Sequence, residues 1–80
     1  MPINKEDVGE SRVEILKFIK GYIDLNKVPP SRKEVSEAFG FNVNAVTYHY
    51  DVLQELGLIE IIPRISRGLH LTRRAKSLIK

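Results

Sequence analysis

The 80 residues predict a mostly helical α+β fold: a three-helix core followed by a two-stranded β-hairpin, with a short helix at the C-terminal end as a further element. Three observations support this prediction. Apolar residues recur at helical spacing, glycine or proline follows each helical stretch, and residues 58–71 alternate like paired strands. With 42% hydrophobic residues, a compact core is feasible, and we expect a single domain over residues 1–80.

The first predicted helix begins near residue 11 and ends near Asn26. Residues 1–10 are polar and predict a flexible, irregular segment. Ser11 and Glu14 have the spacing of a capping box, in which each side chain bonds a free backbone amide at the helix start. Apolar residues then follow with helical period: Ile15, Leu16, Ile19, Tyr22 and Ile23. Pro29 and its proline neighbour cannot continue this helix.

A second, shorter helix is predicted to run through Phe39. Ser31 and Glu34 form another capping box at its start. Its expected buried side consists of Val35, Ala38 and Phe39. Gly40 follows where a left-handed residue is needed, and glycine adopts that conformation at the lowest cost. The sequence therefore predicts a tight turn into the next helix.

The third predicted helix has two distinct faces. Asn42 or Asn44 can cap it, and it runs to about Leu56, where Gly57 stops it. The apolar face, expected in the core, contains Val46, His49, Tyr50, Leu53 and Leu56. The opposite face is exposed and contains Asn44, Thr47, Tyr48, Asp51 and Glu55. This second face is the one available to a partner.

A hairpin and a short helix complete the chain. Residues 58–62 and 69–71 alternate as two strands, and residues 63–68 form the loop between them. Thr72 can cap a last helix that carries Ala75, Leu78 and Ile79, although two arginines in its first turn oppose the helix dipole.

Charge is unevenly distributed, although the net charge is only +3. Residues 1–62 contain seven Lys or Arg and all ten acidic residues, a net charge of −3. Residues 63–80 contain six Lys or Arg and no acidic residue, a net charge of +6. Such a basic segment is typical of a surface that binds a polyanion, and it is also typical of a solvated tail.

The third helix and the hairpin loop together indicate DNA binding. A helix held across another by a tight turn can enter the major groove, and a neighbouring hairpin can contact the backbone. Asn can pair with adenine, and a Thr methyl can contact thymine. Because no Lys or Arg lies between Val35 and Pro63, phosphate contacts must come from the flanks. An exposed polar helix face also occurs in many proteins that bind no DNA.

Three segments resemble, in order, the N-terminal DNA-binding domain of the LexA repressor family. They are PPSRKEVSEAFGF, NAVTYHYDVLQELGLIEI and SRGLHL, within residues 13–71. The resemblance implies a winged helix-turn-helix whose third helix reads the major groove, usually as a two-fold dimer. The expected base-reading positions are Asn42, Val43, Asn44, Ala45, Thr47 and Tyr48. The expected contacts to the DNA backbone are Ser31, Arg32, Lys33, Arg64, Ser66 and Arg67.

The chain departs from the family pattern in several respects. The turn before Asn44 is one residue shorter than usual, and Thr47 and Tyr48 stand where acidic residues are typical. The DNA sequence that is read is therefore expected to differ. The self-cleaving peptidase half of the family has no counterpart in these residues, so we do not transfer cleavage-driven derepression. The tail LTRRAKSLIK resembles the exit of small winged-helix regulators instead.

These features predict a sequence-specific binder of double-stranded DNA that acts as a transcriptional repressor, with a homodimer as one option. The alternative is a winged-helix module for protein–protein interaction in a larger assembly. An enzyme is not expected, because His49 and His70 are far apart in sequence and no cysteine accompanies them. We expect no cofactor, metal or small-molecule substrate. The chain has no apolar signal region and no run long enough to cross a bilayer, which predicts a cytoplasmic protein.

Overall fold

The computed structural model describes residues 3–80 as a series of helices with one two-stranded sheet near the end. The elements are α1 (Lys5–Val8), α2 (Glu10–Asn26), α3 (Arg32–Phe39), α4 (Val43–Glu55), β1 (Ile59–Ile61), β2 (Leu69–Leu71) and α5 (Arg73–Leu78). The predicted α+β fold is confirmed: α2, α3 and α4 are the three predicted helices, and the hairpin is the wing of a winged helix-turn-helix. Within the described residues, no helix is long and apolar enough to cross a membrane.

Helix α1 lies where the sequence analysis predicted an irregular segment. Asn4 and Asp7 form a reciprocal capping box at its start, and Val8 at its end is completely buried. Four residues are too few to show a helical period in the sequence, and the burial of Val8 against α2 is a tertiary effect. The structure therefore corrects the expectation for residues 3–10, while the expectation for residues 1–2 lies outside the described residues.

The start of α2 also differs from the prediction. Gly9 has a φ of 98°, and it both ends α1 and begins α2. The helix starts at Glu10 without a side-chain cap, so the predicted capping box between Ser11 and Glu14 is wrong. A preceding helix joined through one glycine leaves no room for an N-cap at residue 11. The predicted end at Asn26 is confirmed.

Helix α3 begins and ends as predicted. The Ser31 hydroxyl accepts a hydrogen bond from the Glu34 amide at 3.1 Å, and the Glu34 carboxylate accepts one from the Ser31 amide at 2.7 Å. Gly40 follows with a φ of 72°, the left-handed conformation that the sequence predicted. Val35 is fully buried, but Ala38 is exposed, which corrects its place on the buried side.

One hydrophobic core joins all of these elements. Its buried members are Val8, Val13, Ile15, Leu16, Ile19, Val35, Val46, Tyr50, Leu53, Leu58, Ile59, Leu69, Leu71 and Ala75. Phe39 and Phe41 extend it to the turn between α3 and α4, with ring centroids 5.8 Å apart. The core therefore fixes α4 against α3 and against the sheet at once.

The wing, residues 59–71, is attached to the end of α4 by hydrogen bonds. Its strands pair antiparallel, with Ile59 opposite Leu71. The Gln54 side-chain oxygen accepts a hydrogen bond from the Ile61 amide at 3.0 Å. The Thr72 hydroxyl donates to the Gly57 carbonyl at 2.7 Å and also caps α5, as predicted. These bonds hold the wing at a set position beside α4.

Candidate nucleic-acid interface

A turn of three residues, 40–42, holds α4 across α3. Gly40 provides the left-handed conformation, and the Ser36 hydroxyl donates a hydrogen bond to the Phe41 carbonyl. The Asn42 side-chain oxygen then accepts from the Ala45 amide at 2.8 Å, which makes Asn42 the N-cap of α4. Side chains and backbone together fix the angle at which α4 leaves the turn.

The six predicted base-reading positions lie at the cap and in the N-terminal half of α4. Val43 and Tyr48 are 44% and 60% exposed, and Asn44 is also exposed. Ala45 and Thr47 are half-buried at the margin of this face. We call Val43, Asn44, Ala45, Thr47 and Tyr48 the reading face. It carries no charged side chain, as the sequence analysis expected.

Asn42 is less suited to reading bases than the sequence suggested. A bidentate pair with adenine requires both the oxygen and the nitrogen of an Asn side chain. The Asn42 oxygen is already bonded to the backbone at the start of α4. Asn44, exposed in the first turn of α4, is therefore the better candidate for an adenine contact.

Two cations that are distant in sequence line one cleft next to α4. Arg32 at the start of α3 and Arg64 in the wing loop line the same cleft of about 300 Å³. The Arg32 guanidinium lies over the Tyr50 ring, with 5.5 Å from Cζ to the ring centroid, so its direction is constrained. Lys33, next to Arg32, and Ser66, two residues after Arg64, are both exposed. Ser31 is half-buried, and its hydroxyl caps α3.

Arg67 anchors the wing to the start of α3. Its Nη1 donates to a Glu34 carboxylate oxygen at 2.6 Å, to the Pro29 carbonyl at 2.9 Å and to the Tyr22 hydroxyl at 3.5 Å. The sequence analysis assigned Arg67 to phosphate alone and missed this structural role. All three contacts use one nitrogen, which leaves Nη2 and Nε to donate to another acceptor.

Glu34 is the acceptor that this network shares. Hydrogen bonds from Arg67, the Ser31 amide and the Tyr22 hydroxyl lower the pKa of Glu34 from 4.5 to about 2. Glu34 is therefore a carboxylate at neutral pH and partly neutralises Arg67. Arg64 consequently supplies more of the unpaired positive charge of the wing than the sequence indicated.

Arg12 is a cation near the reading face that the sequence analysis missed. Its Cζ lies 5.7 Å from the centroid of the Tyr48 ring, and its Nη1 donates to the Val8 carbonyl at 3.0 Å. Arg12 lies between Ser11 and Glu14, the two residues of the capping box predicted at the start of the first helix. No local pattern marks the contact, because it joins α2 to α4 across the fold.

The two histidines have unrelated surroundings. His49 packs against Phe41 with ring centroids 5.3 Å apart, and burial, followed by the charge of Arg12, lowers its pKa. Its Nδ1 is buried and has no hydrogen-bond partner among residues 3–80. His70 is exposed, with Nε2 3.6 Å from a Glu60 carboxylate oxygen across the sheet. Neither belongs to a group of metal-binding side chains within the described residues.

The chain is similar in sequence to a known family of proteins. The family model described as "LexA DNA binding domain" matches residues 5–68. The chain is 45% identical over 58 residues to a LexA repressor of Xylella fastidiosa, which covers 71% of the chain and 28% of that protein. It is 39% identical over 66 residues to LexA repressor 2 of Xanthomonas oryzae, with 81% and 31% covered.

A LexA repressor of Shewanella sediminis is 42% identical to the chain over 67 residues, with 82% of the chain and 32% of that protein covered. The chain thus spans about a third of the length of these relatives. The family match extends further towards the N-terminus than the resemblance seen in the sequence, which began at residue 13, and so includes α1. The chain belongs to the LexA DNA-binding domain family.

Proposed function

We propose that this chain binds double-stranded DNA in a sequence-specific manner, with the N-terminal half of α4 in the major groove. The observation that carries the proposal is that α4 has an uncharged, exposed reading face, while Tyr50 of the same helix lines a cleft together with Arg32 and Arg64. Cations on the flanks can bind phosphates and set the register, while neutral polar groups read base edges. The family to which the chain belongs is consistent with this division.

Within this proposal, Asn44, Thr47 and Tyr48 discriminate between bases. Arg32, Lys33 and Arg64 bind phosphates. Arg67 donates a hydrogen bond from Nη2 or Nε to a phosphate while its Nη1 remains bonded to Glu34. A charge-assisted bond to phosphate is available to Arg67 without loss of the anchor. Ser31 and Ser66 are the remaining candidates for backbone contacts.

We further propose that the domain represses transcription by occupying promoter DNA in the cytoplasm. The relatives described above are named LexA repressors, and their names support this proposal for the domain they share with the chain. If two copies bind together, the operator is two-fold symmetric, with half-sites about 10 bp or a multiple apart. Hydroxyl-radical footprinting on the selected site distinguishes one protected half-site from two.

A protein-interaction module is not favoured, because the matched family is a DNA-binding one. The same family description supports a binding role without a catalytic step.

The deciding experiment is a selection from random DNA duplexes at several salt concentrations. We expect enrichment of one motif, and a binding constant that falls with salt by a slope of about −0.9 for each phosphate contacted. Duplex RNA of the enriched sequence is the matched control, because its major groove is too narrow for a helix. No enrichment at low salt, or equal binding to the RNA, would overturn the proposal.

A further inference from the structure

Arg12 connects the N-terminal helix to the reading face. Its Nη1 is held by the carbonyl of Val8, the last residue of α1, and its Nε is buried without a hydrogen-bond partner among the described residues. A Cβ atom on Gly9 would lie only 3.1 Å from Nη1, so the guanidinium packs closely against the junction of α1 and α2. The side chain is therefore fixed at one end by the fold.

The other end of this contact is Tyr48, an exposed side chain of the reading face. Tyr48 is 60% exposed, and an exposed tyrosine normally samples more than one rotamer. The Arg12 Cζ lies 5.7 Å from its ring centroid, within the range of a cation–π interaction. The centroid of the neighbouring His49 ring lies 5.8 Å from that of the Tyr48 ring.

We propose that Arg12 is a positioning residue for sequence recognition, which holds the Tyr48 ring in the orientation that reads DNA. This inference rests on the proposed function and adds a residue from outside the helix-turn-helix to it. Direct binding of phosphate by Arg12 is the competing role. Burial of Nε and the bond from Nη1 to Val8 make part of the guanidinium unavailable to a phosphate, and the contact with Tyr48 orients the rest, which is why we favour positioning.

The test compares Arg12→Met, Arg12→Lys, Tyr48→Leu and the double variant Arg12→Met/Tyr48→Leu. The measured quantity is the ratio of affinities for the selected duplex and a random duplex. We expect Arg12→Met to lower this ratio about two- to five-fold, the range of a partly exposed cation–π contact. Arg12→Lys retains the cation and should recover much of the ratio. The double variant should lose no more than Tyr48→Leu alone, because the two residues act as one unit.

Lys17→Met is the matched control, since it removes one positive charge from an exposed position of the same helix. It should leave the affinity ratio unchanged. Additive losses in the double variant would overturn the proposal. So would a salt slope reduced by about one in Arg12→Met, because that result identifies a phosphate contact.

A measurement without DNA keeps the inference separate from the proposed function. In the free protein, Arg12→Met should change the NMR shifts of the Tyr48 ring protons, and Lys17→Met should not. Unchanged Tyr48 shifts overturn the positioning role even if the wild type selects a motif. If the wild type selects no motif but the shifts change, the proposed function is lost and the contact between the two side chains remains. Thermal unfolding of each variant identifies any loss of α1.

Discussion

Arg67 and Glu34 form an ion pair with 2.6 Å between Nη1 and Oε1, and this pair connects the wing to the first turn of α3. Both side chains remain about one-third exposed, at 36% and 31%. The pair thus lies at the protein surface, and the Glu34 carboxylate also completes the cap of α3. One carboxylate therefore fixes two elements of the interface relative to each other.

The first prediction concerns the pH dependence of this anchor. The pKa of Glu34 is lowered from 4.5 to about 2, so the unfolded chain binds its proton more tightly than the folded one. The stabilisation is complete above pH 4.5 and is lost as the pH falls towards 2. NMR titration of the Glu34 carboxyl carbon should show the low pKa. In Arg67→Ala the midpoint should rise, and an unchanged midpoint contradicts the importance of the ion pair.

The second prediction separates the two wing arginines. Arg64→Ala should weaken binding to every duplex and reduce the salt slope by about 0.9, because it removes one phosphate contact. Arg67→Ala should also weaken binding to every duplex, and in addition lower the melting temperature because the anchor is lost. Binding isotherms at several salt concentrations and thermal unfolding measure both effects. An unchanged slope in Arg64→Ala removes that residue from the phosphate contacts.

The third prediction concerns base discrimination. Thr47→Ala and Tyr48→Ala should each reduce the preference for the selected duplex by about 1–3 kcal/mol, the usual value of one base contact. Affinity for random duplexes should change little. Glu55→Gln, at the C-terminal end of the same exposed face, is the control and should retain the preference. Equal losses on selected and random DNA would remove the substituted residue from the reading face.

The fourth prediction concerns the left-handed residue that ends α2. Lys27 has a φ of 68°, which costs a residue with a Cβ about 1 kcal/mol or more. Lys27→Gly should therefore raise the free energy of unfolding by about 1 kcal/mol. Gly40→Ala is the reciprocal control, because Gly40 has a φ of 72° and a Cβ there would meet open space. It should lower the free energy of unfolding by a similar amount, through backbone conformation alone. Urea denaturation measures both, and destabilisation by Lys27→Gly contradicts the prediction.

The fifth prediction concerns His49. Burial, followed by the charge of Arg12, lowers its pKa below the usual 6.5, so protonation favours the unfolded chain. The stabilisation is complete above pH 6.5 and is lost as the pH falls towards the lower folded pKa. His49→Phe should remove this part of the pH dependence of the melting temperature. His70→Gln, which replaces an exposed imidazole, should retain it.

Local patterns were sufficient to predict most of the fold and of the reading face. The capping box of Ser31, the turn at Gly40 and the stop at Gly57 depend on residues close in sequence, so the sequence contains their cause. The alternation of the two strands likewise predicted their pairing. These features also position the face that contains Asn44, so that face was predictable.

The missed features all depend on contacts across the fold. Helix α1 is ordered through the burial of Val8, and Arg12 meets Tyr48 only after α2 packs beside α4. Arg67 was predicted only as a contact to the DNA backbone, because no periodicity relates it to Glu34, which precedes it by 33 residues. Such side-chain contacts depend on how the helices and strands pack together, and this packing cannot be deduced from a single sequence.

The close packing at Gly68 affects which DNA duplexes the chain can bind. A Cβ at this position would lie 2.5 Å from the Ile62 carbonyl oxygen and 2.8 Å from that of Ile65, so the loop closes tightly over its own backbone. With Arg67 bonded to Glu34 as well, the distance between α4 and the loop has little freedom to adjust. A duplex must then have, or adopt, the matching groove width, and the energy of that deformation depends on base sequence. Base pairs that no side chain touches should therefore influence binding through the stiffness of the duplex.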